Sequence, residues 1–356
     1  MLPMRFASKK PGSVAPPSSL IYIEPDLTLK NFIVKHETGV PPLVVGDDLT
    51  GKTMVVVGAN TGIGLAAAKL FASMKASRVI MACRNEEKGT KAVAGVEEAT
   101  GTKSAELWLV DLGKFSSIVE FCDRWEKEGG RLDILIMNAG IAVWGTWDIL
   151  EGWESTLQIN HLGTSLFSLL LLPRLQEMAR ESLEQTRLVF VGSDTHYFVT
   201  INEYLRNSPS ILRTLNDKEK ASLTCQTMVS APGQDQRYPI SKLLNLLFSR
   251  SLAARLGPSS QHPSIEHEGR RIELHERTSE QGAYQLMWAA LGPTNPSDND
   301  HIRGAYVVDN EITEPSDFVI SKEGHEVQER IRNETIEILR GVAPKISEIV
   351  DQSLRA

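Results

Sequence analysis

From residue 51 to residue 256, short, mostly apolar runs alternate with longer stretches in which apolar residues recur every three or four positions. The short run, continuous at 53–57, is the pattern of a strand buried on both faces, and the longer period is that of a helix. Strands are predicted over 53–57, 78–82, 105–110, 132–137 and 187–191, and helices over 65–75, 85–99, 115–127, 152–180 and 238–256. Strands alternating with helices imply right-handed crossovers. The predicted fold class is α/β, a doubly wound parallel sheet with helices on both faces, spanning residues 51–342.

The flanks read differently. Residues 1–50 are punctuated by Pro and Gly and lack a sustained period, so an N-terminal extension, partly disordered, is expected, with a short helix over 27–34 ended by Pro41-Pro42. A polar insertion covers 195–237, with a helix predicted over 201–215. A late strand over 304–308, a charged helix over 322–340 and a C-terminal tail over 343–356 complete the chain.

Composition narrows the function classes. With 41% hydrophobic and 23% charged residues the chain reads as an ordinary soluble domain. The net charge of −7 comes without a long basic block, so nucleic acid is not an expected partner. Cys83, Cys122 and Cys225 are odd in number and show no paired spacing, which argues for a reducing compartment and against a disulfide framework or a zinc site. The densest apolar stretch, 166–172, stops at Pro173 and is too short for a transmembrane segment. The first 23 residues carry Arg5, Lys9, Lys10 and no acid, but four prolines oppose a long amphipathic helix. The expected location is cytoplasmic, with a mitochondrial presequence as the alternative.

Candidate chemistry gathers at one edge of this sheet. Gly58, Asn60, Thr61, Gly62, Ile63 and Gly64 sit between the first strand and the first helix, where glycines let the backbone approach a phosphate at a helix N-terminus. Asp111, Asn138 and Ser193 also lie at or just beyond strand carboxyl ends, where ligands of such sheets bind. Tyr238 and Lys242 are four apart and share a helix face. A neighbouring ammonium favours a phenolate over a phenol, so the pair can act as a general acid or base.

Taken in order, the Gly58–Gly64 turn, Asp111-Leu112, Asn138-Ala139-Gly140, Asn160, Ser193 and Tyr238-x-x-x-Lys242 resemble the short-chain dehydrogenase/reductase family over about residues 51–256. The wording Ala82-Cys83-Arg84-Asn85 and Val191-Gly192-Ser193-Asp194-Thr195-His196 is similar to its retinol-dehydrogenase-like branch and fungal relatives. The resemblance implies a Rossmann fold and a nucleotide-dependent carbonyl reductase or alcohol dehydrogenase acting on a small-molecule substrate. It implies that Tyr238 exchanges the proton with the substrate oxygen. Lys242 would hold the nicotinamide ribose, Ser193 orient the carbonyl, and Asn160 anchor a relay water. From the residues alone, Ser193 also reads as a strand-end cap and Asn160 as an amide bonding to backbone. His196 reads as structural.

A carboxylate at the end of the second strand would select NAD. Cys83 stands there, followed by Arg84, which can pair with a 2′-phosphate, so NADP is expected in preference to NAD. By resemblance Asp111 and Leu112 lie near the adenine, and Asn138, Ala139 and Gly140 line the sheet edge.

One departure stands out. Between 257 and 277 there is no apolar run where the family has its sixth strand, and Gly257-Pro258 reverses the Pro-Gly pair expected to cover the nicotinamide. The sixth-strand region therefore reads as truncated. A degenerate strand near 264–267 or 271–274, a variant that has lost activity, and an imperfect gene model are the competing accounts. The functional alternative is a non-catalytic dinucleotide-binding protein. His262, His267 and His275 in this run read as a solvated loop, with no metal expected. Apolar helices over 162–172 and 243–256 permit a homodimer through a four-helix contact.

Overall fold

A computed structural model describes residues 48–182, 186–221, 236–256, 264–268, 278–292 and 302–354, with the backbone alone at 182 and 264–268. All of them fall in one compact unit, residues 39–356. The helix predicted over 27–34, the alternative strand over 271–274, Cys225, Gly257-Pro258, His262 and His275 lie outside the described residues.

The predicted strands form as β1 (Thr53–Val57), β2 (Arg78–Cys83), β3 (Ala105–Leu109), β4 (Ile134–Met137) and, after a two-stranded hairpin of β5 (Ile149–Leu150) and β6 (Trp153–Glu154), β7 (Arg187–Val191). Val55 lies opposite Ile80 on one side and Leu135 on the other, both in parallel register. Alternate side chains of each strand enter opposite cores: Val55 and Val57 one, Met54 and Val56 the other. Of these five strands β1, β2, β4 and β7 lie inside the sheet and β3 forms one edge.

The sixth position is held by β8 (Ser264–Glu268), which pairs in parallel with β7 over five residues and then with β9 (Tyr306–Val308). The full order is β10-β9-β8-β7-β4-β1-β2-β3, with β10 (Glu311–Thr313) antiparallel at the edge. The degenerate strand is therefore realised at 264–268. Its sequence, Ser-Ile-Glu-His-Glu, carries one apolar residue. Ladder hydrogen bonds on both sides, not an apolar run, define it as a strand.

On one face lie α1 (Gly62–Ser73), α2 (Glu86–Thr100) and α9 (Ser279–Leu291). The packing is close because the contacts are small: Ala66, Ala67, Ala68, Ala72, Ala283, Ala289 and Ala290 are all buried. Asn85 starts α2 by accepting the Lys88 N–H at 2.8 Å, and Glu86 and Glu87 suit its N-terminus. On the other face lie α3 (Phe115–Arg124), α4 (Thr164–Ser182) and α8 (Arg237–Arg255). The predicted helix over 152–180 begins later than expected. The β5–β6 hairpin and a π-helical turn, Leu157–Gly163, precede α4.

A further layer covers this second face. The insertion forms a 3-10 turn, Asp194–Phe198, and the short helices α5 (Glu203–Arg206), α6 (Ile211–Leu215) and α7 (Lys218–Ala221). The single helix predicted over 201–215 is two because Asn202 caps one start and Ser210 the other. After α10 (Asp317–Ile320), the long α11 (Lys322–Val342) packs on α8 and α6. The residues read as a tail form α12 (Lys345–Ser353), which packs on α4 and buries Ile346 and Ile349.

This layer covers the helices whose apolarity permits a homodimer. Leu162, Leu166, Phe167, Leu169, Leu243, Leu246, Leu247 and Phe248 are all buried within the chain itself. Among the described residues no helix is long and apolar enough to cross a membrane.

Candidate active site

Between β1 and α1 the chain turns on its glycines. Gly58 has φ +83°, and a Cβ there would sit 2.9 Å from Ala139. At Gly64 a Cβ would land on the Gly58 carbonyl oxygen and 2.6 Å from Asn138 Nδ2, so any side chain would open the turn. Asn138, following β4, donates its amide to the Val57 and Gly58 carbonyls at 3.2 and 3.0 Å. It joins the ends of two neighbouring strands around the turn. Gly62 begins α1 behind Thr61, whose side chain caps nothing, and no acid occupies the first turn. The helix N-terminus thus offers its N–H groups at the carboxyl edge. Asn60 is half-buried, Thr61 exposed, and Ile63 is buried against Gly282 of α9.

At the end of β2, Cys83 is buried, and burial pushes its thiol up to about 11 against a smaller opposing effect of a hydrogen bond with the Ala59 backbone. No carboxylate stands at that position, and the next side chain, Arg84, is exposed. After β3, Asp111 Oδ1 accepts the Gly113 N–H at 2.9 Å and holds the following turn. Leu112 is buried, and its carbonyl abuts Gly163 of the π turn. The glycine cradle, the uncapped helix and the absent carboxylate fit a dinucleotide at this edge.

The other candidates converge on α8. Pro239 falls in its first turn, where a missing N–H breaks no helical bond. Tyr238 is half-buried, and Lys242 Nζ lies 5.6 Å from its ring centroid. The buried Lys242 donates to the Val191 carbonyl at 2.8 Å, which ties α8 to the end of β7. Asn160 sits in the π turn, a form often found at functional sites. Its Oδ1 accepts the Ile141 N–H, and its Nδ2 donates to the Ile141 carbonyl, both at 2.8 Å, and to Ser241 Oγ at 2.9 Å. A Cβ on Gly140 would sit 3.3 Å from Asn160 Oδ1 and 3.6 Å from Lys242 Nζ. Gly140, Asn160, Tyr238 and Lys242 are thus brought together, with Ala139 against Gly58.

Ser193 is buried and caps the 3-10 turn by accepting the Thr195 N–H at 3.2 Å. Its hydroxyl proton is not used by that bond. His196 donates Nδ1–H to the Ser193 carbonyl at 2.9 Å and accepts the Ser316 N–H on Nε2 at 3.3 Å. Both ring nitrogens are engaged, and burial lowers this imidazole to about 4, so it is a structural histidine.

Several residues of this assembly escaped the sequence reading. Asn245 donates to the Asn160 carbonyl at 2.8 Å, and its Oδ1 meets His161 Nδ1 at 3.1 Å. His161 Nε2 reaches Thr335 of α11 at 2.9 Å, so a wholly buried imidazole links the π turn, α8 and α11. Burial lowers it to about 4, although the Asn245 bond acts in the other direction. A signal existed for Ser241 and Asn245: with Tyr238 and Lys242 they form a polar stripe at helical spacing, interrupting the apolar residues from Pro239 to Phe248. Glu154 and Arg237 gave no such signal.

Comparison with known proteins places these features. A family described as short chain dehydrogenase matches residues 52–201. The chain is 31% identical over 319 residues to the short chain dehydrogenase/reductase dmxR8 of Cryptosporiopsis sp. (strain 8999), covering 84% of this chain and 93% of that one. It is 38% identical over 226 residues to the short chain dehydrogenase sol3 of Alternaria solani, covering 63% of this chain and 74% of that one. Among solved structures, an uncharacterized protein of Mycobacterium paratuberculosis superposes with a TM-score of 0.58 at 23% identity, covering 87% and 97% of the two chains. That last likeness speaks for the fold alone.

Proposed function

We propose a function from one premise: the chain belongs to the short-chain dehydrogenase/reductase family. It is an NADP(H)-dependent oxidoreductase that interconverts a ketone or aldehyde and an alcohol on a hydrophobic small molecule. The observation that carries this reading is Lys242, bonded to the Val191 carbonyl at 2.8 Å and 5.6 Å from the Tyr238 ring, beside Gly140 and Asn160.

The nucleotide, when bound, supplies or accepts the hydride. The chain supplies everything else. Tyr238 gives a proton to the carbonyl oxygen, or takes one from the alcohol. Lys242 holds a ribose hydroxyl and places a positive charge beside the phenol. Ser193, with its hydroxyl proton to spare, donates to the substrate oxygen as charge builds there. Asn160, locked by Ile141, Ser241 and Asn245, fixes the π turn from which a relay water is held.

Gly58, Asn60, Thr61, Gly62, Ile63 and Gly64 cradle the pyrophosphate, with Asp111, Leu112, Asn138 and Ala139 beside the adenosine half. The exposed Arg84 after the neutral Cys83 thiol supports NADP over NAD, because a guanidinium pairs with a 2′-phosphate and nothing there attracts a free 2′-hydroxyl. Trp144, 63% exposed in the loop after Gly140, supports an apolar substrate. The internally covered α4 and α8 support a monomer. Placement in the retinol-dehydrogenase-like branch rests on the motif wording at 82–85 and 191–196, and a cytoplasmic location on an odd number of cysteines without paired spacing.

The test is NADPH oxidation with a panel of apolar ketones and aldehydes. Tyr238→Phe should lower turnover about 100- to 10,000-fold and leave the NADPH-dependent rise in Tm intact. Retained turnover would overturn the assignment of Tyr238, and no turnover by the parent protein would favour a dinucleotide-binding protein without catalysis.

A further inference from the structure

Immediately before Tyr238 stands a buried ion pair with no part in the roles above. Arg237 Nη1 lies 2.7 Å from Glu154 Oε1, with the side chains 14% and 2% exposed. Two charges so withdrawn from water are held only by their geometry, and an apolar pair would serve stability as well. Their other contacts point to a further use.

The second oxygen of Glu154 accepts the Leu157 N–H at 3.0 Å, at the first residue of the π turn that carries Asn160. Ser155 Oγ donates to its first oxygen at 3.1 Å. The Glu154 N–H donates to Asn216 Oδ1 at 2.6 Å, and Asn216 Nδ2 returns to the Gly152 carbonyl at 2.8 Å, so the insertion is fastened to the β5–β6 hairpin here. Arg237 reaches the other way. Its Nη2 donates to the Val143 carbonyl at 3.3 Å, and its guanidinium carbon lies 5.2 Å from the Trp147 ring centroid. One ion pair therefore joins four pieces of chain: the loop 141–147, the hairpin, the Asn160 turn and the helix α8 that carries Tyr238.

We propose that Arg237 is a positioning residue. It fixes the loop 141–147 relative to Tyr238, and through Glu154 it fixes the Asn160 turn relative to the same helix. The planar guanidinium is needed because its fork serves Glu154, the Val143 carbonyl and the Trp147 face at once, and a lysine ammonium, a single point charge without that planar fork, does not serve all three. The proposal rests on the proposed function in one respect, the role of Tyr238.

The test uses the full chain with Arg237→Lys, Arg237→Gln, Glu154→Gln and the double variant Glu154→Gln/Arg237→Gln. The double variant leaves no buried charge unpaired and keeps the comparison available should a single variant fail to fold. Three quantities are read: Tm, amide hydrogen exchange over 141–147 with NADPH bound, and kcat with the best carbonyl substrate of the parent. Arg237→Lys should keep Tm near the parental value, because Glu154 retains a cation. It should still lose about 100-fold in kcat at unchanged KM for NADPH, with faster exchange at 141–147 and unchanged exchange over α1. Parental kcat and parental loop exchange in Arg237→Lys would overturn the proposal and leave the pair a stabilising contact only. Exchange that rises uniformly along the chain as Tm falls would also overturn it. If the parent reduces no carbonyl, the proposed function fails, and the exchange over 141–147 still decides for or against the positioning role.

Discussion

The two faces of the sheet are built on different plans. One is covered by a single layer, α1, α2 and α9, whose alanines bring helix and sheet close. It carries the Gly58–Gly64 turn, shaped by backbone and by one side chain, Asn138. The other face has two layers, because α11 lies over α8, α12 lies over α4, and Leu205, Ile211, Leu212 and Leu215 of α5 and α6 join the same core. It carries Asn160, Tyr238 and Lys242, of which Asn160 and Lys242 are bonded to distant parts of the chain. The proposed nucleotide half of the site is a local motif and the proposed catalytic half is a long-range network.

That contrast can be broken most severely at the C-terminus. Removing residues 345–356 strips Ile346, Ile349 and Leu354 from α4. At about 1.5–3 kcal/mol for each buried aliphatic side chain, the loss approaches the whole stability of a domain. A steep fall in Tm and association of the exposed α4 face, seen by light scattering, are expected. An unchanged Tm and a monomer would mean that the outer layer is ornamental.

Acid should also act on the second face. His161 and His196 are buried and lowered to about 4 in the folded chain, against about 6.5 when unfolded. Between these values the unfolded state binds more protons. Stability is therefore fully present above pH 6.5 and falls as the pH drops toward 4, by about 3 kcal/mol for each imidazole at pH 4. Equilibrium unfolding from pH 7 to pH 4 measures this. His161→Gln should remove one imidazole's share of the slope, and an unchanged slope would contradict the assignment.

On the first face, Gly64→Val should drive a side chain into the Gly58 carbonyl and Asn138. The nucleotide-dependent stabilisation, about 2.7 kcal/mol at a hundredfold excess over Kd, should vanish in calorimetry. The smallest effect is at Arg84. Its replacement by Ala should cost about 1.5 kcal/mol of NADPH binding and leave NADH binding untouched, as read by titration.

The same contrast explains what could be read from sequence. The five apolar strands, their helices and the glycine turn are each specified by adjacent residues, and their positions agree with the patterns at Thr53–Val57 and Arg187–Val191. The strand at Ser264–Glu268 was legible only as one alternative, since ladder bonds to β7 and β9 define it and its own composition does not. The apolarity of 162–172 and 243–256 permits a homodimer as readily as an internal cover, and the cover itself, α11 and α12, lies more than 60 residues further on. The bonds of Asn160 to Ile141, Ser241 and Asn245, and the Glu154–Arg237 pair, join residues 19 to 85 apart, and no local pattern announces them.

The measurement that tests the central claim most directly is thermal unfolding of the full chain against rising NADPH, with NADH in parallel. A nucleotide that binds only the folded state raises Tm as its concentration rises. NADPH is predicted to raise Tm well before NADH does, because the exposed Arg84 is proposed to pair with a 2′-phosphate. A cooperative transition that neither nucleotide moves would contradict the nucleotide site, and with it the reading of this chain as an NADP-dependent oxidoreductase.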